Sequence, residues 1–385
     1  MLDPFAVKLP EPLARALETI STTLSLPTLQ YHGHEVLFAL SFYTFIFIVV
    51  SPWLNKTFMP KRYASFNKRT RINWDVHVVS FVQSTLICIL SLAVILGDKE
   101  RKQWRSSDQW EMRIFGYTGL TGLCQSFALG YFLWDLYMCT FYINIFGPGM
   151  LAHAISAVTV FSFGFRPFLY YWAPVFLLYE LSSPFLNIHW FCDKLELTGS
   201  TIQAVNGAFL VLTFFCCRLV WGTYSSVLVF YDVWRAIQGG YTEPRLFEKF
   251  TAYAREGDLS DPQGQTTAFM GVRYLPLWLG SAYLASNLVL NVLNYYWFSK
   301  MVQTIRKRFD PPFGTKGIGE DKVEWEHVEK KKGSVKAARE KAEAVTGRVE
   351  LDDAATVQRG VYADGHTSVE VTGSTRRTTT SRRKA

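Results

Sequence analysis

The chain has 385 residues, of which 49% are hydrophobic and 16% are aromatic, and this composition excludes an ordinary soluble protein. Several apolar runs reach the roughly 20 residues that a helix needs to cross a bilayer. The formal net charge of +8 lies mainly in one loop and in the C-terminal part, which favours anionic lipid headgroups over nucleic acid as partners.

These runs predict an all-α fold, a multi-pass bundle of about seven transmembrane helices followed by a disordered cytosolic C-terminal tail. In chain order, the predicted spans lie near Val36–Leu54, Asp75–Leu96, Phe115–Met138, Met150–Phe165, Phe168–Trp190, Ile202–Tyr231 and Tyr274–Val302. Residues 1–30 carry acids and prolines and do not resemble a secretory signal peptide. We therefore expect the first span to direct membrane insertion.

Basic residues indicate the topology of the bundle. The loop after the first span carries six bases and no acid, namely Lys56, Lys61, Arg62, Lys68, Arg69 and Arg71. The positive-inside rule places this loop and the tail in the cytosol and the N-terminus in the lumen, although the next loop mixes bases with acids and agrees less well. The predicted organisation is a lumenal lead-in at 1–30, the first span with its basic loop at 31–66, the main membrane domain at 67–302 and the tail at 303–385.

The tail is rich in Lys, Glu, Arg, Thr and Gly and poor in large apolar residues, which predicts disorder and leaves room for a protein partner. Its end, with Arg382 and Arg383, loosely resembles a basic retrieval signal for the endoplasmic reticulum. The six cysteines form no metal-type spacing with histidines. We expect them to pack as small apolar residues, and we expect no metal site and no cofactor.

The fifth predicted span carries Glu180 and Asn187, which are seven residues apart and therefore on the same helical face. A carboxylate at bilayer depth is costly and is usually paired, and Arg218 lies near the middle of the next span. We expect an ion pair, since antiparallel neighbours bring these depths together. The pair either bounds a pocket for a lipid headgroup or only locks two helices, and Pro174 and Pro184 predict a kink beside it.

His153 and Asp135 are the candidate catalytic residues, near the cytosolic ends of spans four and three. If they meet across the connecting hairpin, the carboxylate fixes the imidazole tautomer for general-base chemistry. The alternative is a packed histidine and an interfacial aspartate. His189, together with Asp193, falls at the cytosolic end of span five and is placed to line the same layer.

Amide side chains are further candidates for a lipid-binding or cavity-lining surface. Asn206 lies at the start of span six, and span seven carries Asn287, Asn291 and Asn294 at spacings of four and three, which form one stripe. In lipid such a stripe must face protein or a water-filled cavity. Helix–helix contact is the favoured role of the stripe, and cavity lining is the alternative.

Several motifs in a fixed order resemble the TLC-domain family, which includes ceramide synthases and translocation-associated membrane proteins. Spread over roughly residues 67–302, they are Arg71–Ser80, Gly130–Asp135, His153, Ser183–Asn187 and the stretch from Asn206 to Arg218. The resemblance is closest to members of unassigned activity, of fungal type. Ceramide synthases carry an adjacent pair of histidines where this chain has His153 between Ala152 and Ala154.

The resemblance implies a multi-pass protein of the endoplasmic reticulum that binds or senses lipid and contributes to membrane lipid homeostasis, with catalysis not expected. One alternative is an acyl-CoA-dependent N-acyltransferase of the ceramide synthase type, with acyl-CoA as substrate. Another is a cargo receptor or a translocation accessory protein. The expected partners are membrane lipid, including anionic lipid at the cytosolic face, and a protein bound through the tail, but not nucleic acid.

Overall fold

The computed structural model describes residues 1–242, 258–269 and 274–309, and within these ranges the regular structure is helical, with no β-strand. The all-α prediction is confirmed. The predicted tail lies outside the described residues except for residues 303–309. The chain divides into two units, Met1–Gln303 and Thr304–Ala385, and every site discussed below lies in the first.

Twelve α-helices fall within the described ranges. They are α1 Glu11–Thr23, α2 Leu29–Phe58, α3 Pro60–Ser65, α4 Lys68–Gly97, α5 Lys99–Gln103, α6 Trp110–Phe115, α7 Gly119–Phe141, α8 Ile143–Gly164, α9 Ala173–Leu177, α10 Ser183–Lys194, α11 Thr201–Gln238 and α12 Leu277–Phe309. Single 3₁₀ turns lie at Ser107–Gln109, Tyr170–Trp172, Leu178–Ser182 and Gly264–Thr267. Two of the long helices contain a π-helical turn, at Ile46–Val50 and Phe215–Val220.

Polar side chains at loop ends set where several helices begin. Asn67 accepts a hydrogen bond from the Thr70 amide at the start of α4. Ser200 accepts one from the Gln203 amide at the start of α11. Short polar side chains are favoured at this position because they satisfy amides that have no partner within the helix.

Four helices are long and apolar enough to cross a membrane, namely α2, α4, α8 and α11. They overlap the first, second, fourth and sixth predicted spans, so a multi-pass membrane protein is confirmed. The count of seven spans stays a prediction. Helix α2 begins at Leu29, seven residues before the first predicted span. It therefore includes polar residues that were predicted to lie outside that span.

The fifth predicted span, Phe168–Trp190, is not one helix. It consists of a 3₁₀ turn, the short helix α9, the 3₁₀ turn Leu178–Ser182 and α10. Pro174 and Pro184 explain these breaks, because proline removes an amide donor and disfavours helical geometry in the preceding residue. The predicted kink is therefore a series of interruptions at the middle of the bundle.

Packing brings the interrupted segment into the core. Helix α7 packs against α2 on one side and α8 on the other, while α4 contacts both α9 and α10. The 3₁₀ turn Leu178–Ser182 also contacts the π-helical turn Phe215–Val220 of α11. Two irregular backbone segments therefore meet inside the bundle, and each carries one charged residue.

Candidate functional site

Glu180 owes its position to the 3₁₀ turn Leu178–Ser182. This turn is tighter than an α-helix, and Pro184 follows it in the first turn of α10. Because a proline at that position cannot donate to the preceding turn, the helix cannot continue regularly through Glu180. Short 3₁₀ stretches within helical segments often mark a functional hinge or local strain.

Arg218 lies in the π-helical turn Phe215–Val220, where α11 is locally widened by one residue. π-Helical turns inside α-helices are rare and occur frequently at functional sites. The Arg218 side chain is 8% exposed, and its guanidinium lies 5.0 Å from the centroid of the Phe214 ring. The π-helical turn thus places a cation in the interior of the helix bundle.

The two charged groups form the ion pair that the sequence predicts. Arg218 Nη2 lies 3.5 Å from Glu180 Oε1. Neutral acceptors hold the guanidinium more closely. They are the Tyr179 carbonyl at 2.9 Å and Ser182 Oγ at 3.0 Å from Nε, Ser183 Oγ at 3.1 Å from Nη2, and Asn294 Oδ1 at 3.2 Å from Nη1.

The Glu180 carboxylate is less well satisfied than its partner. Among the described residues it makes no hydrogen bond, and its contact with Arg218 is longer than a charge-assisted hydrogen bond of about 2.7–2.9 Å. Its side chain is 12% exposed and borders an internal cavity. The carboxylate therefore keeps acceptor capacity for another donor.

His153 faces the same cavity from α8. The atom Nδ1 of its ring is buried and has no hydrogen-bond partner in the described part of the chain. The ring packs 6.4 Å from Phe132 and 5.6 Å from Trp297, measured between centroids, and the charges of Glu180 and Arg218 both act on it. A buried polar atom without a partner is uncommon and calls for a physical reason.

The cavity, called here the central chamber, has a volume of about 30 Å³, which is room for about two waters. Its walls combine the polar residues His153, Tyr179, Glu180, Arg218, Asn287 and Asn294 with apolar residues Phe132, Ala157, Val160, Phe161, Phe176, Leu177 and Leu290. Polar groups thus converge on one side of an apolar enclosure.

The asparagine stripe of α12 divides between two roles. Asn287 and Asn294 line the chamber, and Asn294 accepts from Arg218. Asn291 instead donates to Ser226 Oγ of α11 at 2.9 Å and so joins two helices. Cavity lining therefore applies to Asn287 and Asn294, and helix–helix contact applies to Asn291.

Two other predicted lining residues lie outside the chamber wall. Asn206 donates to the Phe185 carbonyl at 2.8 Å and joins α11 to α10. His189 packs toward Gly207 of α11, where a β-carbon would lie 3.3 Å from the imidazole. These residues fix the contact between α10 and α11, and their assignment to a lipid-binding cavity has no support from the chamber geometry.

Asn187 belongs to a separate buried cluster. Its Oδ1 lies 2.7 Å from His77 Nδ1, and its Nδ2 donates to Ser80 Oγ at 3.1 Å. The His77 ring stacks on Trp190 with centroids 4.1 Å apart. His77 was not among the predicted site residues, and the available signal was a histidine near the start of a predicted span, two residues after Asp75.

The structure does not bring His153 and Asp135 together. Within the described residues no hydrogen bond or ion pair joins them, and Cys139 Sγ lies 3.7 Å from Asp135 Oδ1. Gly147, with φ of 79° and ψ of 168°, breaks α8 six residues before His153. The break changes the direction of the helix, and His153 meets the ring of Phe132, one turn before Asp135 on α7.

A second buried ion pair lies between α6 and α11. Arg113 donates from Nε and Nη2 to the two oxygens of Asp232, both at 2.7 Å. The remaining nitrogen, Nη1, donates to the carbonyls of Trp104 at 2.9 Å and Ser106 at 2.7 Å. This pair is bidentate and nearly saturated, which distinguishes it from the pair in the chamber.

The sequence of this chain is similar to those of several known proteins. The sequence model of the TLC domain matches residues 73–303. An uncharacterised TLC domain-containing protein of Schizosaccharomyces pombe is 35% identical over 283 residues, 74% of this chain and 82% of that protein. Topoisomerase I damage affected protein 4 of Saccharomyces cerevisiae is 29% identical over 73% of this chain and 86% of its own length. Human TLC domain-containing protein 4 is 28% identical over 54% of this chain and 74% of its own length.

Proposed function

This chain belongs to the TLC-domain family of membrane proteins, and from that premise we propose that it binds a polar lipid at the central chamber. The lipid's headgroup contacts Arg218 and Glu180, and its apolar part lies along the aromatic and aliphatic wall. The protein resides in the endoplasmic reticulum membrane and contributes to lipid homeostasis by binding or sensing this lipid.

The observation that carries this proposal is the incomplete satisfaction of buried polar groups around the chamber. The Glu180 carboxylate has only a 3.5 Å contact with Arg218, and His153 Nδ1 has no partner among the described residues. Ionisable groups within a membrane bundle are costly and usually mark a functional site. A headgroup that donates to Glu180 and forms a hydrogen bond with His153 Nδ1 satisfies both groups.

The chamber must widen to admit such a ligand, because it has room for only about two waters. The segments around it contain the positions at which the backbone can adjust. They are the break at Gly147 in α8, the 3₁₀ turn before α10 and the π-helical turn of α11. Hinges of this kind absorb backbone changes at the ends of helical segments. We place the headgroup at the junction of these three segments.

Lipid analysis of the purified full-length protein tests this function. Asn294→Ala removes a chamber wall residue, and Asn206→Ala removes one comparable side-chain hydrogen bond between α10 and α11 away from the chamber. We expect a defined lipid to accompany the wild type and the Asn206→Ala control, and to be reduced in Asn294→Ala. Equal lipid content in all three proteins, or no enriched lipid in the wild type, contradicts the proposal.

A second candidate function is acyl-CoA-dependent N-acylation, and the imidazole of His153 favours it. His153 lines the chamber together with a carboxylate and a guanidinium, and its Nδ1 has no hydrogen-bond partner among the described residues. In that reaction a substrate amine attacks the thioester carbonyl, the C–N bond forms and the C–S bond breaks. The base takes the amine proton and delivers it to the leaving sulfur, so that coenzyme A leaves as a thiol. His153 would serve as the base and Arg218 would stabilise the oxyanion.

Amide formation from acyl-CoA and an amine, measured with the purified protein in lipid vesicles, tests this second function. We expect His153→Ala to abolish activity. Because Asp135 does not contact His153, Asp135→Asn serves as the comparison and is expected to retain more activity. Absence of product in the wild type with sphingoid and simple amines rejects acylation and leaves lipid binding unaffected.

A cargo or translocation role is the third hypothesis, and it depends on the tail. The basic end with Arg382 and Arg383 and the charged tail supply the recognisable features, both outside the described residues. Deleting residues 310–385 is expected to leave lipid retention by the bundle unchanged. If that deletion abolishes both localisation and function while lipid is unaffected, the tail-dependent role is favoured.

A further inference from the structure

A cluster of three potential metal ligands lies at the N-terminal end of α2, within the described residues and apart from the chamber. His32 and Glu35 are on this helix, and Asp3 reaches it from the N-terminal segment. One ligand atom from each residue lies within 4.8 Å of the others. The cysteine spacings predicted no metal site, and this cluster contains no cysteine.

The imidazole of His32 is oriented by contacts at both nitrogens. Nε2 lies 2.7 Å from Tyr117 Oη. Nδ1 lies 2.7 Å from Glu35 Oε2 and 3.7 Å from Asp3 Oδ2. Metal-binding histidines commonly use one nitrogen for the ion while a hydrogen bond at the other fixes the ring, which is the role that Tyr117 fills.

Each carboxylate has one oxygen for which the described residues supply no donor. Asp3 Oδ1 accepts from the Phe5 amide at 2.8 Å, which leaves Oδ2 toward the imidazole. Glu35 is 3% exposed, and its Oε1 has no hydrogen-bond partner among the described residues. A buried carboxylate oxygen without a donor is unfavourable, and a bound cation would remove that cost.

Electrostatics point in the same direction. Asp3 and Glu35 bring two carboxylates together beside a single imidazole, and both His32 and Glu35 are buried. Two carboxylates in a poorly solvated cluster repel each other unless a proton or a cation lies between them. His32, when protonated, supplies one positive charge to two acids, so the cluster still carries excess negative charge.

Close packing shows that the cluster is built into the fold. Gly122 of α7 faces His32 Nε2, and a β-carbon at Gly122 would also lie 2.5 Å from Tyr170 Oη. Only glycine allows α7 to approach the imidazole this closely. Tyr117 packs in turn against Tyr170, with ring centroids 5.4 Å apart. The orienting hydroxyl and the ring it contacts are therefore held by surrounding aromatic residues.

We propose that Asp3, His32 and Glu35 bind a divalent first-row metal ion, with Zn²⁺ as the best match. One imidazole nitrogen and two carboxylate oxygens are ligands that zinc accepts, and three protein ligands leave a fourth position for water or a substrate oxygen. Metal binding displaces the proton shared between His32 and Glu35, since ligands bind in their deprotonated forms. The site is independent of lipid binding at the chamber.

Equilibrium dialysis of the full-length protein against Zn²⁺ tests the site, after chelator treatment, in detergent micelles and without a polyhistidine tag. We expect one zinc per chain by mass spectrometry of the metal. Asp3→Asn and Glu35→Gln should weaken binding by at least about tenfold, and Tyr117→Phe by about 10–100-fold, the range found when an orienting partner is removed. Zinc should also raise the thermal midpoint of the wild type.

Glu11→Gln is the matched control, since it neutralises an exposed carboxylate on α1 that pairs with Arg15. It should bind zinc as the wild type does. Where Glu35→Gln fails to fold, as judged by helical content, Asp3→Asn decides because Asp3 lies at the edge of the cluster. The proposal is overturned if the wild type takes up no zinc, or if Asp3→Asn binds it with unchanged affinity.

Discussion

Two buried arginine–carboxylate pairs within the described residues use the same chemical groups in different ways. Arg113 and Asp232 form a bidentate contact at 2.7 Å between regular α-helical segments. Arg218 and Glu180 are 3.5 Å apart and lie on a π-helical and a 3₁₀ turn. The first pair satisfies both of its charges within the protein, whereas the second leaves a carboxylate beside an internal chamber.

This difference separates a structural lock from a site that can accept a ligand. Breaking a saturated buried pair leaves a desolvated charge with no substitute partner. The guanidinium of Arg218 already has four neutral acceptors, so it depends less on its carboxylate. Two of these acceptors, the Tyr179 carbonyl and the Ser182 hydroxyl, belong to the 3₁₀ turn Leu178–Ser182.

The largest expected effect is at the saturated pair. Asp232→Asn should lower the free energy of unfolding by about 3–5 kcal/mol, because the buried Arg113 charge loses its bidentate partner. Denaturant titration of the protein in micelles measures this change. A loss below about 1 kcal/mol would mean that this pair does not hold α6 and α11 together. The proposed difference between the two ion pairs would then be wrong.

Gly222→Ala tests the packing behind Arg218. A β-carbon at Gly222 would lie 2.5 Å from Tyr179 Oη, and the Tyr179 carbonyl accepts from Arg218. We expect a loss of about 1–3 kcal/mol from overpacking, together with reduced lipid retention. Unchanged stability and lipid content would show that the position of Tyr179 is not critical to the chamber.

Glu180→Gln should cost about 1 kcal/mol, several-fold less than Asp232→Asn, since no well-formed hydrogen bond is lost. The same titration applied to both variants provides the measurement. Lipid retention should fall in Glu180→Gln although its stability is nearly preserved. Equal destabilisation by the two substitutions would assign Glu180 the same locking role as Asp232.

His153→Leu is expected to have the smallest effect on stability, within about 1 kcal/mol, because it removes a buried polar atom that has no partner. Loss of function without loss of stability is the result that supports a role in the chamber. If His153→Leu unfolds the protein, the imidazole is needed for packing against Phe132 and Trp297.

The sequence was sufficient to predict the pairing of Glu180 with Arg218, because two charged residues in adjacent apolar segments have few other partners. The sequence did not predict that His153 would lie beside this ion pair and not beside Asp135. That position depends on the direction of α8 after the break at Gly147. A glycine with non-helical backbone angles changes which residues of two neighbouring helices lie at the same depth in the bundle. A prediction from helical periodicity misses this change because it assumes an unbroken helix axis.

The polar residues missed in the sequence share a different cause. His77 and His32 each lie in an apolar helix, and their partners Asn187 and Tyr117 are far away in the chain. A single histidine in an apolar run gives no indication of its partner without the fold. The helix boundary mattered as well, because a span beginning at Val36 excludes His32 and Glu35 from the bundle.

A structure determined by electron cryo-microscopy in nanodiscs of native lipid tests the central proposal most directly. We predict headgroup density within hydrogen-bond distance of Arg218, a carboxylate of Glu180 that faces the headgroup, and an apolar chain along Phe132 and Leu177. A chamber that contains only water under these conditions, with Glu180 and Arg218 in direct contact, would contradict the account and leave the pair as a lock.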